Sequence, residues 1–168
     1  MRLRIPVLVV LLALLLFYSL PGYAEESSPA RIVLPLKIVA TNHLLVPVLI
    51  DETKYWLVVD TAAGATTLDE TLSKNIKFAD AKMVCEAYAA GLGTAKQAVA
   101  PAIIPKLQLG EGEFKNVIVF KTDLSSINSS FEKCGISSVL GILGSEFLIR
   151  NEGIIDYGAK TLTLKVKN

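Results

Sequence analysis

Histidine is nearly missing from this chain of 168 residues, which contains only His43. A zinc site built on several histidines is therefore excluded, and a Ser-His-Asp or Cys-His arrangement would depend on one residue in a polar turn. The sequence also lacks a Gly-x-Ser-x-Gly segment and a Cys-x-x-Cys pair. We interpret His43 as a surface turn residue, and we expect neither a metal ion nor another cofactor.

Concentrated charge is also lacking, since the 17 basic and 16 acidic side chains are scattered along the chain. Binding to nucleic acid or to an anionic membrane surface requires a concentrated basic face, so neither partner is expected. The Gly91-Leu92-Gly93 segment is not followed by a phosphate-binding helix pattern, which argues against a nucleotide site.

Cysteine is scarce as well, because Cys85 and Cys134 are the only two. In an oxidising compartment they can form a disulfide, and two buried free thiols are the alternative. Their spacing does not decide between the two states.

The N-terminal segment has the layout of a secretory signal peptide. Arg2 and Arg4 precede an apolar run over residues 5–16, and the small residues Gly22 and Ala24 suit a cut after Ala24. The alternative is an uncleaved membrane anchor, because the apolar stretch is only slightly shorter than a bilayer span.

We therefore divide the chain into three parts. Residues 1–24 are the predicted signal peptide, residues 25–30 a flexible lead-in, and residues 31–168 a single folded domain. This organisation predicts export to the periplasm or the medium. The anchored alternative predicts an inner-membrane protein that associates with the membrane only through residues 5–20.

From residue 31 the chain consists of short apolar runs separated by turns. We predict strands at 31–40, 44–50, 54–59, 82–89, 95–104, 106–109, 114–120, 139–144, 153–157 and 161–166. Short helices are predicted at 69–75, capped by Asp69, and at 145–150, and the polar stretch 123–135 is predicted to be a surface loop. Many short strands with little helix indicate an all-β barrel or sandwich.

Asp60 is the acidic residue best placed for chemistry. It ends the apolar strand and leads into the small residues Thr61, Ala62 and Ala63, which suit a tight loop beside a substrate. A carboxylate that is rigidly held, partly desolvated and open to a ligand is suited to acid/base work. Asp156 also ends an apolar strand, but the turn-forming residues after it indicate a structural aspartate.

Several stretches, in order, resemble the retropepsin-like aspartic proteases, and especially their bacterial single-domain, exported members. Residues 57–63 look like the family's active-site strand and loop, and residues 88–95 lie where its flap tip would be. Residues 141–148 resemble its late apolar-Gly motif and helix, and residues 153–164 its closing hairpin. The resemblance implies an all-β, single-domain closed barrel with one or two short helices and a flap hairpin.

The resemblance also implies a function. Asp60 would be the catalytic carboxylate of a peptidase, supported by Thr61, Ala62 and Ala63 of its loop. The family activates water between two such aspartates, and this chain supplies one loop, so a homodimer is expected. The flap, with Tyr88, Ala89, Ala90, Gly91, Leu92 and Gly93, would close over an extended peptide or protein substrate.

One departure from the family pattern concerns Ala62, which stands where the family usually has glycine. Alanine disfavours any positive φ that glycine would permit. Two alternatives follow: a peptide-binding or assembly module that has lost hydrolysis, and a plain structural β-domain in which Asp60 has no role.

Overall fold

The computed structural model describes residues 30–81, 88–89, 97–98 and 100–166. Its strands are β1 (Arg31–Pro35), β2 (Lys37–Ile38), β3 (Leu44–Ile50), β4 (Thr53–Val59), β5 (Thr67–Asp69), β6 (Ala79–Asp80), β7 (Tyr88–Ala89), β8 (Gln97–Ala98), β9 (Ala100–Leu109), β10 (Gly112–Thr122), β11 (Gly141–Leu143), β12 (Ile154–Asp156) and β13 (Thr161–Lys165). Its helices are α1 (Ser125–Lys133) and α2 (Ser145–Arg150). The predicted signal peptide lies outside the described residues, as does the lead-in except for Ala30.

Six of the strands close into a barrel, which confirms the predicted fold class. They pair in the order β3, β4, β11, β5, β10 and β9, and β9 returns to β3 where Gln108 pairs with Leu49. Side chains that alternate along these strands fill the interior, among them the fully buried Val46, Leu107 and Leu143. No helix in the described ranges is long and apolar enough to cross a bilayer.

The hairpin of β3 and β4 delivers the chain to Asp60, as predicted. Its turn consists of Asp51 and Glu52, whose φ angles of 48° and 63° are both positive. Two consecutive positive φ angles match the type I′ turn, whose twist fits that of paired strands. The turn therefore sets the register that ends with Val59 opposite Leu44.

The predicted first strand, 31–40, is wrong as a single element, because it divides at the buried Leu36. Before this residue, β1 pairs with β13 in a separate sheet whose order is β1, β13, β12. After it, β2 pairs with β3 of the barrel sheet. The closing hairpin of β12 and β13 is confirmed.

The predicted surface loop 123–135 is also wrong, because it contains helix α1. Phe131 is buried in a cluster with Val58 and Val139 on the outside of the barrel. Asn128 is buried too: its Nδ2 donates to the Val139 carbonyl at 3.2 Å, and its Oδ1 accepts from the Val139 N–H at 2.9 Å. The polar composition hid a helix whose packing face includes an asparagine bonded to the neighbouring backbone.

The helix predicted at 69–75 is a series of turns, although Asp69 does bond to backbone as a cap would. Its Oδ1 accepts the N–H groups of Thr71 and Leu72 at 2.9 and 2.8 Å. Asp69 itself belongs to β5, a strand that the sequence did not indicate. A few residues after these turns the chain forms β6, which pairs with β9.

Candidate active site

Asp60 sits where β4 ends beside the parallel strand β11. Its backbone N–H donates to the Leu143 carbonyl at 3.1 Å, which extends the pairing of Val59 with Leu143 by one step. Its side chain is half-buried, and Oδ1 accepts the N–H of Ala62 at 2.8 Å. The carboxylate is therefore fixed by the loop that follows it and remains accessible from one side.

The loop residues named from the sequence surround this carboxylate. Thr61 and Ala62 are exposed, and Ala63 is half-buried. Neither Ala62 nor Ala63 is among the residues with positive φ. The loop therefore adopts its conformation without the left-handed backbone that would require glycine at position 62.

The start of α2 holds the other end of the loop. The N–H and Oγ of Ser145 both donate to the Ala63 carbonyl, at 2.8 and 2.9 Å. The Thr66 N–H donates to Glu146 Oε1 at 2.7 Å, and the Gly144 N–H donates to Thr66 Oγ1 at 3.1 Å. These bonds bring together the loop and the late apolar-Gly motif.

Glycine is required at position 144 because of crowding. A Cβ there would collide with Glu146 Oε2 and with the carbonyl group of Ala65. Thr66 and Glu146 were not named from the sequence. Nothing in the local pattern of either residue reveals a contact that spans 80 positions.

The flap prediction falls mostly outside the described residues. Tyr88 and Ala89 pair with Ala98 and Gln97 as an antiparallel ladder, which is the pairing expected of a hairpin. Residues Ala90, Gly91, Leu92 and Gly93 lie outside the described part, so the tip and its contacts stay a prediction.

The proposed disulfide also stays a prediction. Cys134, which follows α1, is exposed. Cys85 lies outside the described residues.

The other candidates have structural explanations. Asp156 is exposed and accepts the Ala159 N–H at 2.7 Å, so it is a turn aspartate as predicted. His43 is exposed, lies 2.8 Å from the Thr41 hydroxyl through Nδ1, and packs edge-on against Phe131. Within the described ranges no three His, Cys, Asp or Glu side chains form a group that could hold a metal ion.

A groove of about 810 Å³ lies apart from Asp60, which does not line it. Its walls include Phe114, Ile118 and Phe147, with Arg31 and Arg150 among its charged residues. Glu146, which accepts the Thr66 N–H, is also among the residues that line it.

A half-buried aspartate follows a barrel strand, in a loop bonded to a Gly-containing strand and a short helix, which is the arrangement that the resemblance to acid proteases implies. A sequence model of the family described as "Aspartyl protease" matches residues 46–147, more than half of the chain. The chain belongs to this aspartyl protease family. No curated protein matches it.

The chain is also similar to solved structures. The retroviral protease-like domain of Ddi1 from Leishmania major is 16% identical with a TM-score of 0.51, and the match covers 76% of this chain and 90% of that domain. A retropepsin-like aspartic protease from Rickettsia conorii is 20% identical with a TM-score of 0.49, covering 82% of this chain and 90% of that one. The likeness to the Leishmania domain shows that the chain has the retropepsin-like fold.

Proposed function

We propose that the protein is an aspartic endopeptidase whose active site is formed by Asp60 of two identical subunits. The observation that carries the proposal is the state of the Asp60 loop: its carboxylate is half-buried, yet Thr61 and Ala62 beside it are exposed. Among the described residues, no second aspartate has this setting, since Asp69 is fully engaged with backbone and Asp156 forms a turn. A second copy would cover the exposed loop and supply the missing carboxylate.

The chemistry follows from two carboxyl groups held close together. In this mechanism one carboxyl is ionised and the other is protonated, so that the pair shares one proton. The ionised carboxylate takes a proton from water as the water oxygen attacks the scissile carbonyl carbon. The protonated carboxyl gives its proton to the carbonyl oxygen, and collapse of the tetrahedral intermediate, with proton transfer to the amine, breaks the C–N bond.

The substrate class in this proposal is an extended peptide or protein segment. Such a segment can bind by adding its backbone to the hairpin of β7 and β8, in the manner of strand addition. We further propose that the protein works after export, in the periplasm or outside the cell, directed there by residues 1–24. The basis is the arrangement of basic, apolar and small residues in that segment.

The competing function is a peptide-binding or assembly module without hydrolysis. Its motivation is Ala62 in place of the usual glycine. The backbone of Ala62 does not have the positive φ that would have made alanine costly, and this supports catalysis over the binding module.

The test is to incubate the purified protein and Asp60→Asn with a mixed peptide library from acidic to neutral pH. Cleavage by the wild type and none by Asp60→Asn is expected. Equal cleavage by both would sink the role of Asp60, whereas binding without cleavage by either would favour the module. Solution mass, measured with and without an aspartic-protease transition-state inhibitor, tests the dimer, because a ligand that spans both loops stabilises it.

A further inference from the structure

Glu146 is the ionisable group among the hydrogen bonds that join residues 144–146 to the Asp60 loop. Its Oε1 accepts the Thr66 N–H at 2.7 Å, while the bonds that Gly144 and Ser145 make to the loop use backbone groups and hydroxyls. Thr66 is buried, with 1% of its surface exposed, so water cannot replace this acceptor readily. A buried N–H that loses its partner is left with an uncompensated desolvation cost.

The second oxygen of Glu146 has a less favourable environment. Oε2 is buried and has no hydrogen-bond partner within the described part of the chain. Oε2 and the Ala65 carbonyl both border the point where a Cβ on Gly144 would stand. A buried carboxylate oxygen without a donor is destabilising, so the favourable contribution of Glu146 comes through Oε1.

We infer that Glu146 is a positioning residue for the reaction: it holds Thr66, and through Thr66 the loop that carries Asp60. The inference rests on the proposed function. Thr66 makes two hydrogen bonds to this segment: its N–H donates to Glu146 Oε1, and its Oγ1 accepts the Gly144 N–H at 3.1 Å. The Ala63 carbonyl is fixed to the same helix start by Ser145. Misplacing a catalytic group by about 1 Å can cost on the order of 100-fold in rate, so a modest relaxation of this loop would be visible.

The role needs an acceptor oxygen at Oε1 and does not need a charge at Oε2. Glu146→Gln keeps the acceptor and replaces the unpartnered oxygen with an amide donor beside the Ala65 carbonyl. Glu146→Ala removes the acceptor. We therefore expect Glu146→Gln to retain kcat within about threefold, and Glu146→Ala to lose about 10- to 100-fold in kcat with little change in KM. The exposed Glu70→Ala is the control and should match the wild type.

The experiment measures two quantities on the full-length protein and each variant: kcat and KM for a cleaved peptide, and the hydrogen-exchange rate of the Thr66 amide. Protection of this amide in the wild type and Glu146→Gln, with faster exchange in Glu146→Ala, is expected whether or not the protein cleaves peptides. Equal protection of the Thr66 amide in all three proteins would show that Glu146 does not hold Thr66 in place. If protection differs as expected but kcat of Glu146→Ala equals that of the wild type, the catalytic part of the inference is wrong. Absence of cleavage by the wild type overturns the proposed function and with it the catalytic part of the inference. The exchange rate of the Thr66 amide still tests whether Glu146 holds Thr66.

Discussion

Replacing Asp69 should show how much one buried carboxylate contributes to the free energy of unfolding, because it joins β5 to the turn at residues 71–72 and to the start of α1. The side chain is 3% exposed, and its Oδ1 accepts the N–H groups of Thr71 and Leu72. Its Oδ2 accepts the N–H of Leu124, which immediately precedes α1, at 3.0 Å. Asp69→Asn keeps an oxygen for the first two donors and leaves the buried Leu124 N–H without its acceptor, which costs about 1–3 kcal/mol.

Asp69→Ala removes all three acceptors. Thr71 and Leu72 are exposed, so water can reach their N–H groups, and their loss resembles that of a helix cap at about 1 kcal/mol. We therefore expect Asp69→Ala to lower the free energy of unfolding by about 2–4 kcal/mol in total. Urea unfolding followed by circular dichroism measures both variants, and the exposed Glu70→Ala should stay within about 0.5 kcal/mol of the wild type. An Asp69→Ala variant as stable as Glu70→Ala would refute the reasoning.

Three further predictions concern other parts of the molecule. Asn128→Ala leaves both backbone groups of the buried Val139 without their side-chain partner, so we expect a loss of about 2–4 kcal/mol in thermal or urea unfolding; an unchanged stability would show that the helix does not depend on this pair. The hydrogen bond and charge of Lys106 lower the pKa of Glu113, so Lys106→Gln should raise that pKa toward its ordinary value in an NMR titration, and an unmoved curve would contradict this cause. Because the pKa is lowered, any stability that this pair contributes is present at neutral pH and is lost as the pH falls through the pKa of Glu113 in the folded protein. A Cβ at Gly64 would meet no atom within 4 Å, so the free energy of unfolding of Gly64→Leu should lie within about 1 kcal/mol of the wild-type value. Because Gly64 is exposed in the loop that the proposed second copy would cover, the same substitution should weaken the proposed dimer in sedimentation. An unweakened dimer would show that the partner subunit binds elsewhere.

Patterns within one segment predicted much of the fold. The apolar runs that form β3 and β4, the turn between them and the Gly-containing stretch before α2 are all local features, and each was located correctly. Helix α1 was missed because its buried face includes Asn128, whose burial depends on Val139 eleven positions later. Polar composition alone therefore predicted a surface loop where the structure has a helix with a buried face.

The same distinction applies to the candidate site. Asp60 could be predicted because the end of an apolar strand, the carboxylate and the small residues after it are all visible within residues 57–63. Glu146 and Thr66 could not, because the reason for their contact is the parallel pairing of β4 with β11, which brings the two segments together. Strand β5 was missed for a similar reason, since its three residues are held between β10 and β11.

The central claim is that Asp60 is half of a site, and mixing subunits tests it most directly. Peptide cleavage is measured at a fixed concentration of wild-type protein, well above the dimer dissociation constant, while Asp60→Asn protein is added under conditions of subunit exchange. If each site needs one Asp60 from each subunit, an equal amount of the variant should lower the activity to about half, because mixed dimers are inactive. Activity that stays constant as the variant is added, with exchange verified by mass, would contradict a shared site.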